Sequence, residues 1–197
     1  MRAICGLGNP GRHYRRTRHN LGFLALDRYV ARYWPRGAWQ GFLPRWRHTL
    51  PEALLYRPTS ELVLLKPLTY MNRSGLAVAR LLERFALNPE DCLIVYDDVA
   101  LPLGRLRARA QGSAGGHKGM ASVIEALGTT AIPRLRLGID GEEKPEDLVQ
   151  FVLSEFTPEE WPRVERMLDR AAVALDRFHR GGIAAVLDFI AQLEQRS

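Results

Sequence analysis

The stretch Cys5–Asn20, CGLGNPGRHYRRTRHN, decides how this chain is read. It carries G-x-G-x-x-G at Gly6, Gly8 and Gly11, directly after an apolar run (residues 2–7) that reads as a buried first strand. A dinucleotide-binding turn of that pattern delivers the chain straight into a helix whose N-terminus faces a pyrophosphate. Here Gly11 is followed instead by Arg12–Arg18, a polar run with four arginines and no apolar stripe. No second strand ends in Asp or Glu about 20 residues on, where a ribose would be held, and Asp27 falls inside the next helix. The stretch is a strand-to-helix loop of an α/β fold, and it is not a nicotinamide site.

Outward from this loop, strands and helices interleave. Residues 20–34 form an amphipathic helix, with Leu21, Leu24, Tyr29 and Val30 at helical spacings, and Gly37 and Gly41 break it. EALLYRPTSELVLLKP reads as a β-hairpin turning at Pro58-Thr59-Ser60. A helix over about 74–86 precedes DCLIVYDD, an apolar strand that ends in two carboxylates. Residues 104–109 alternate strictly, with Leu106 and Ala108 on one face and Arg105, Arg107 and Arg109 on the other. GGHKGMASVIEAL is a Gly-rich loop entering a helix, and PRLRLGI alternates again, setting Arg134 and Arg136 opposite Leu135, Leu137 and Ile139. Thr157-Pro158-Glu159-Glu160 starts a long helix with a capping box, Gly181-Gly182 ends it, and a last helix follows to about Leu193. The expected fold is a single α/β domain over 1–197. It has a twisted mixed β-sheet flanked by α-helices and a helical C-terminal segment.

Composition narrows the class. At 197 residues with 46% hydrophobic and 25% charged residues, the chain suits one globular domain rather than a disordered segment. It has no signal-like N-terminal segment and no apolar run of membrane-spanning length, so a soluble, cytoplasmic protein with no membrane association is expected. Cys5 and Cys92 both sit in apolar strand-like runs and read as buried free thiols. Charge is uneven: residues 1–139 hold 21 Lys and Arg against 9 Asp and Glu, while residues 140–197 hold 7 against 13. A basic body points to a polyanionic partner, with nucleic acid first.

Four stretches carry chemistry: Asn9–Asn20, Tyr70-Met71-Asn72, Asp97-Asp98 and Gly115–Lys118. Asn9 and Asn72 each combine a donor and an acceptor, which suits orienting a carbonyl and a water together, whereas Asn20 reads as a helix cap. Asp97 falls at the C-terminal end of a strand, where open α/β sheets place their sites. A carboxylate reaching the imidazole of His19 fixes its tautomer and makes it a general base. The chain lacks a G-x-S-x-G elbow, so water rather than a side chain is the expected nucleophile. GSAGGHKG is not a P-loop, because Gly119 stands where Ser or Thr is required. A metal site from His19, His117 and Asp97 or Asp98 lacks close helical ligand spacing, so no metal is expected.

In this order GLGNPG…TRHNLGF, KPLTYMNRSG, YDDVALPLG, GSAGGHKGM and RLRLGI resemble the bacterial peptidyl-tRNA hydrolases over essentially the whole chain. The resemblance implies hydrolysis of the ester between a peptide and the 3′-terminal adenosine of tRNA, with no metal or organic cofactor. His19 would be the general base on water and Asp97 would stabilise its reactive form. Asn9 would separate N-blocked from free aminoacyl-tRNA, and Asn72 would position carbonyl or water. Tyr14, Tyr70 and Met71 would line the acyl and CCA channel, while Arg107, Arg109 and Arg136 would clamp the tRNA 5′ phosphate at the acceptor stem. The family usually has Asn after GGH, whereas this chain has Lys118, an ammonium that can donate to an oxyanion or a phosphate but cannot accept. Non-enzymatic RNA-binding relatives share the fold, yet Asn9, His19, Asn72 and Asp97 together favour the esterase. A monomer is expected, since no heptad or association stripe is present.

Overall fold

A computed structural model describes residues 1–34, 46–141 and 146–195. Its centre is a seven-stranded sheet: β1 (Arg2–Gly6), β2 (Arg47–Leu50), β3 (Ala53–Thr59), β4 (Leu62–Pro67), β5 (Cys92–Pro102), β6 (Leu106–Arg109) and β7 (Arg134–Asp140), in the order β2-β3-β4-β1-β5-β7-β6. The inner four, β4-β1-β5-β7, are parallel, whereas β2, β3 and β6 pair antiparallel at the edges. The inner strands read as unbroken apolar runs because helices cover both faces. On one face α1 (Leu21–Tyr33) and α5 (Trp161–Glu194) bury Leu26, Tyr29, Leu168 and Phe178 against Ile4, Leu93 and Leu135. On the other, α2 (Ser74–Phe85) and α3 (Lys118–Leu127) bury Val78, Leu81 and Val123 against Cys5, Leu65 and Ile94. Burying each such side chain contributes about 1.5–3 kcal/mol. Cys5 and Cys92 are buried free thiols 3.4 Å apart, and burial pushes the Cys5 thiol up.

The α/β reading, the hairpin and the strict alternation of β6 are as expected, and several details differ. The hairpin turns at Ser60-Glu61, and Pro58 lies within β3 where the register shifts between Tyr56 and Thr59. A residue without an N–H is tolerated at such an irregularity. Strand β5 does not stop at Asp97-Asp98 but continues to Pro102, because Asp97 and Asp98 still pair with Leu137 and Gly138 of β7. Strand β2 and a short helix, α4 (Leu148–Leu153), were not expected. The capping box at Thr157 forms in both directions, with Thr157 N–H donating to Glu160 Oε2 (2.7 Å) and Glu160 N–H to Thr157 Oγ1 (3.4 Å). Gly182 (φ 68°) interrupts α5 where the sequence places a break. The expected breaks at Gly37 and Gly41 lie outside the described residues. Among the described residues no helix is long and apolar enough to cross a membrane.

One packing detail positions everything that follows. A Cβ on Gly6 would sit 2.3 Å from the Gly22 carbonyl oxygen, and one on Gly22 would sit 2.4 Å from backbone atoms of Leu7 and Val95. The first turn of α1 therefore presses directly on the C-terminal end of β1 and on β5 at Val95. Gly6 serves close helix–strand approach, not a ligand. Gly8 packs in the same way under the Phe23 ring, and Gly11 adopts φ 112°, which side chains rarely adopt.

Candidate active site

Strand β1 ends at Gly6 opposite Val95, so Asp97 emerges two residues beyond its neighbour, at the edge where α1 begins. There His19, in a 3₁₀ turn (Arg18–Asn20), places Nδ1 2.9 Å from both Asp97 oxygens. From the other side His117 places Nε2 3.1 Å from Asp97 Oδ1. The Nδ1 of His117 accepts from the Met120 N–H at 3.1 Å, capping α3. That bond fixes the tautomer: with Nδ1 an acceptor, the proton sits on Nε2 and donates to Asp97. Asp97 is 1% exposed and takes both donors. Burial pushes its carboxyl up, but the electrostatic pull and hydrogen bond of the His117 ring, then those of His19, more than reverse this and hold it well below the usual carboxylate range. An ionised Asp97 keeps the His19 proton on Nδ1, which leaves the Nε2 lone pair of His19 uncommitted.

A second network holds Asn9. Its backbone N–H donates to Asn20 Oδ1 (2.8 Å), its carbonyl accepts from Asn20 Nδ2 (3.0 Å), and its Oδ1 accepts from the Met71 N–H (2.9 Å). With Oδ1 occupied, the amino group of Asn9 is the part left to meet a ligand. Asn20 is therefore no side-chain cap, contrary to the sequence reading: α1 has no side-chain cap bond at Asn20, and its carboxamide brackets Asn9. A 3₁₀ turn, Met71–Arg73, carries the exposed Asn72, and Met71 packs against Gly119, where a Cβ would lie 2.4 Å from its sulfur.

These groups line an open cleft of about 320 Å³. Asn9, His19, Asp97 and His117 lie along it with Tyr70 (62% exposed), Met71, Asn72 and Lys118. Leu148, Val149, Val152 and Leu153 of α4 add an apolar wall, and the first two are half exposed. Helix α4 is capped by Asp147, whose Oδ1 accepts from the Val149 and Gln150 N–H groups. It is tied to the His19 loop by Arg18, which is buried. Arg18 Nη2 holds both Glu160 oxygens at 2.7 Å, Nη1 reaches Ser154 Oγ at 2.9 Å, and the guanidinium lies over the Phe151 and Phe156 rings. Arg18 is thus a latch rather than part of a solvated basic run. Tyr14 is half-buried on the Gly11 loop and does not line this cleft.

The arginines divide. Arg107 and Arg109 are exposed on β6. Arg109 shares a neighbouring depression with Arg136, Arg134, Ser113 and Gly115, and Arg107 faces Arg136 across the strands. Arg136 Nε also donates to Asp98 Oδ2, so Asp98 points away from the imidazoles. Arg134, on the strand face opposite Leu135 as the alternation sets it, is 2% exposed, and the carbonyls of Ile132, Ser113 and Thr130 receive its guanidinium at 2.8–3.0 Å.

His19, Asp97 and His117 do converge within 4.8 Å, which close ligand spacing in sequence could not reveal. A metal taking His117 Nε2 would force the proton onto Nδ1, against the Met120 N–H, so this geometry favours a hydrogen-bonded relay over a metal centre.

A family model described as Peptidyl-tRNA hydrolase matches residues 3–196. A peptidyl-tRNA hydrolase of Synechocystis sp. is 46% identical over 184 residues, covering 93% of this chain and 92% of that one. One of Aquifex aeolicus is 42% identical over 180 residues, covering 90% and 89%. The crystal structure of peptidyl-tRNA hydrolase from Acinetobacter baumannii superimposes with a TM-score of 0.81 at 28% identity, covering 96% and 94%.

Proposed function

This chain belongs to the peptidyl-tRNA hydrolase family and hydrolyses peptidyl-tRNA, and from that premise we propose that His19 drives the reaction as a general base on water. Carrying this reading is the shared carboxylate: Asp97 accepts from both imidazoles and leaves His19 Nε2 free at the cleft. A water on Nε2 attacks the ester carbonyl carbon while its proton passes to His19. The tetrahedral intermediate then expels the ribose oxygen of the 3′-terminal adenosine, which takes that proton back. The products are a peptide carboxylic acid, which gives its remaining proton to solvent as it becomes a carboxylate, and tRNA with its terminal hydroxyl restored. Positioning and base catalysis of this kind contribute about 10²–10⁴-fold.

Asn72 and the Lys118 ammonium, both exposed at the cleft, supply donors to the developing oxyanion. Asn9 offers its amino group, which matches the first carbonyl of a blocked chain. The α-ammonium of an unblocked aminoacyl ester has only donors, so it leaves Asn9 unmatched. The α4 wall takes apolar acyl side chains, and Tyr70 stacks at the rim on a CCA base. Tyr14, outside the cleft, meets the substrate only beyond the reacting ester. Arg107, Arg109 and Arg136 hold the 5′ phosphate of the acceptor stem, a contact that positions without reading sequence. In this reading the acting unit is a monomer, working in the cytoplasm as a single domain over 1–197.

The test is release of N-acetyl amino acid from N-acetyl-aminoacyl-tRNA, with the unblocked ester in parallel. Selective cleavage of the blocked ester is expected, and equal cleavage of the two would remove Asn9 from its role.

A further inference from the structure

Helix α5 segregates its charge. Between Trp161 and Arg180 its buried residues include Val164, Met167, Leu168 and Phe178. Along one margin of that buried face Asp169 pairs with Arg28 of α1 (2.9 Å) and Asp176 with Arg180 (2.8 Å). Along the other lie Arg163, Arg166, Arg170 and Arg177, within about 60° of arc over a length of about 21 Å at helical rise and twist. All four are exposed, and among the described residues none of their guanidinium groups has an ion pair, hydrogen bond or ring contact. The sequence reading missed this stripe because it took residues 140–197 as acidic in aggregate.

The stripe is continuous with surfaces already described. Arg170 lines a shallow depression together with Arg105, Gly104 and Glu194, and Arg105 leads into the exposed face of β6 with Arg107 and Arg109. At its N-terminal end Trp161 lies under the Arg16 guanidinium (4.6 Å) and against Phe156 (5.7 Å), beside the loop that carries His19. The stripe therefore starts next to the active-site loop and meets the β6 arginines through Arg170 and Arg105.

We propose that Arg163, Arg166, Arg170 and Arg177 form a docking surface for the phosphate backbone of the double-helical part of the substrate's tRNA. This rests on the reaction assigned above and extends it beyond the acceptor end. Uncommitted guanidinium groups along one line match a run of phosphates, since Arg forks bind phosphate bidentately. An A-form helix is held mainly by its shape and backbone, which needs charge at intervals rather than base-reading side chains.

The experiment replaces all four arginines by Gln, a residue that keeps helix propensity, and compares two substrates. One is full-length N-acetyl-aminoacyl-tRNA and the other is the same ester on a CCA trinucleotide. For full-length substrate KM is expected to rise about 10–100-fold and the slope of log KM against log salt to fall by about 2–3. Turnover number, and cleavage of the trinucleotide ester, stay at wild-type values, while the four Arg→Lys changes restore most of KM. Unchanged KM and salt slope on the full-length substrate would overturn the proposal, and so would an equal loss on both substrates. Failure of the wild-type protein to cleave either ester would instead overturn the site reading, so the two failures are distinguishable.

Discussion

His117 and His19 share one carboxylate: Nε2 of the first and Nδ1 of the second lie 3.1 and 2.9 Å from Asp97 Oδ1. Because His117 is itself fixed by the Met120 N–H, the chain of donors runs one way, from the α3 N-terminus into Asp97. That direction leaves His19 with its basic nitrogen toward the cleft. Asp97→Asn changes it. A carboxamide meeting both imidazoles must present its amino group to one of them, which favours the wrong His19 tautomer. Turnover is expected to fall about 10³–10⁴-fold with tRNA affinity retained, as when the orienting carboxylate of a catalytic triad is replaced. Steady-state kinetics with a filter-binding control would check this, and a loss below tenfold would contradict it.

The same carboxylate gives a pH dependence of stability. Its folded-state pKa is lowered, so its contribution is fully present above the ordinary carboxylate value near about 4 and is lost as pH falls below it. Urea midpoints between pH 2.5 and 6 should decline more steeply in wild type than in Asp97→Asn. Parallel curves would show that Asp97 adds nothing to the acid limb.

Asn20→Ala tests the bracket around Asn9. The change leaves the Asn9 N–H and C=O without partners, at about 1–3 kcal/mol for a buried unpaired group. Selectivity for blocked over unblocked ester should drop at least about tenfold, since a loosened Asn9 no longer discriminates. Stability loss with selectivity intact would make Asn20 structural only.

Arg18→Ala unties α4 from the His19 loop. Charged hydrogen bonds of this kind are each worth about 1.5–3 kcal/mol, so hydrogen exchange over residues 148–160 should rise. KM for bulky apolar acyl groups should rise with it, because the displaced wall is Leu148, Val149, Val152 and Leu153. Unchanged exchange would mean that α4 is held in another way.

What was legible in the sequence follows from how local each signal is. The buried runs at residues 2–7 and 91–98 announce parallel strands through composition alone, and the alternation of Leu106, Arg107, Ala108 and Arg109 announces an edge. His19 and Asp97 could be paired because one precedes a helix and the other ends an unbroken apolar run. The second donor on Asp97, however, comes from His117, twenty residues further along, and only the fold brings it there. Asn20 looks like a cap by type and position, and its bond to Asn9 depends on a loop that folds back over it. Gly22 stands in TRHNLGF with no spacing that reveals its role, yet its missing side chain lets α1 meet β1 and β5. Helix α4 has six residues, too few for periodicity to register, and Asp147 is its main signal. The burial of Arg134 was not legible, because alternation sets a face but not whether a loop covers it. Here the segment from Ser113 to Ile132 does so.

The central claim is that His19 Nε2 takes the proton from water. Single-turnover cleavage of N-acetyl-aminoacyl-tRNA by His19→Ala, at saturating enzyme and in EDTA, tests it most directly. The account predicts a rate about 10²–10⁴-fold below wild type with unchanged tRNA affinity, and a wild-type rate that the chelator does not alter. A His19→Ala rate within a few-fold of wild type at full binding would contradict it.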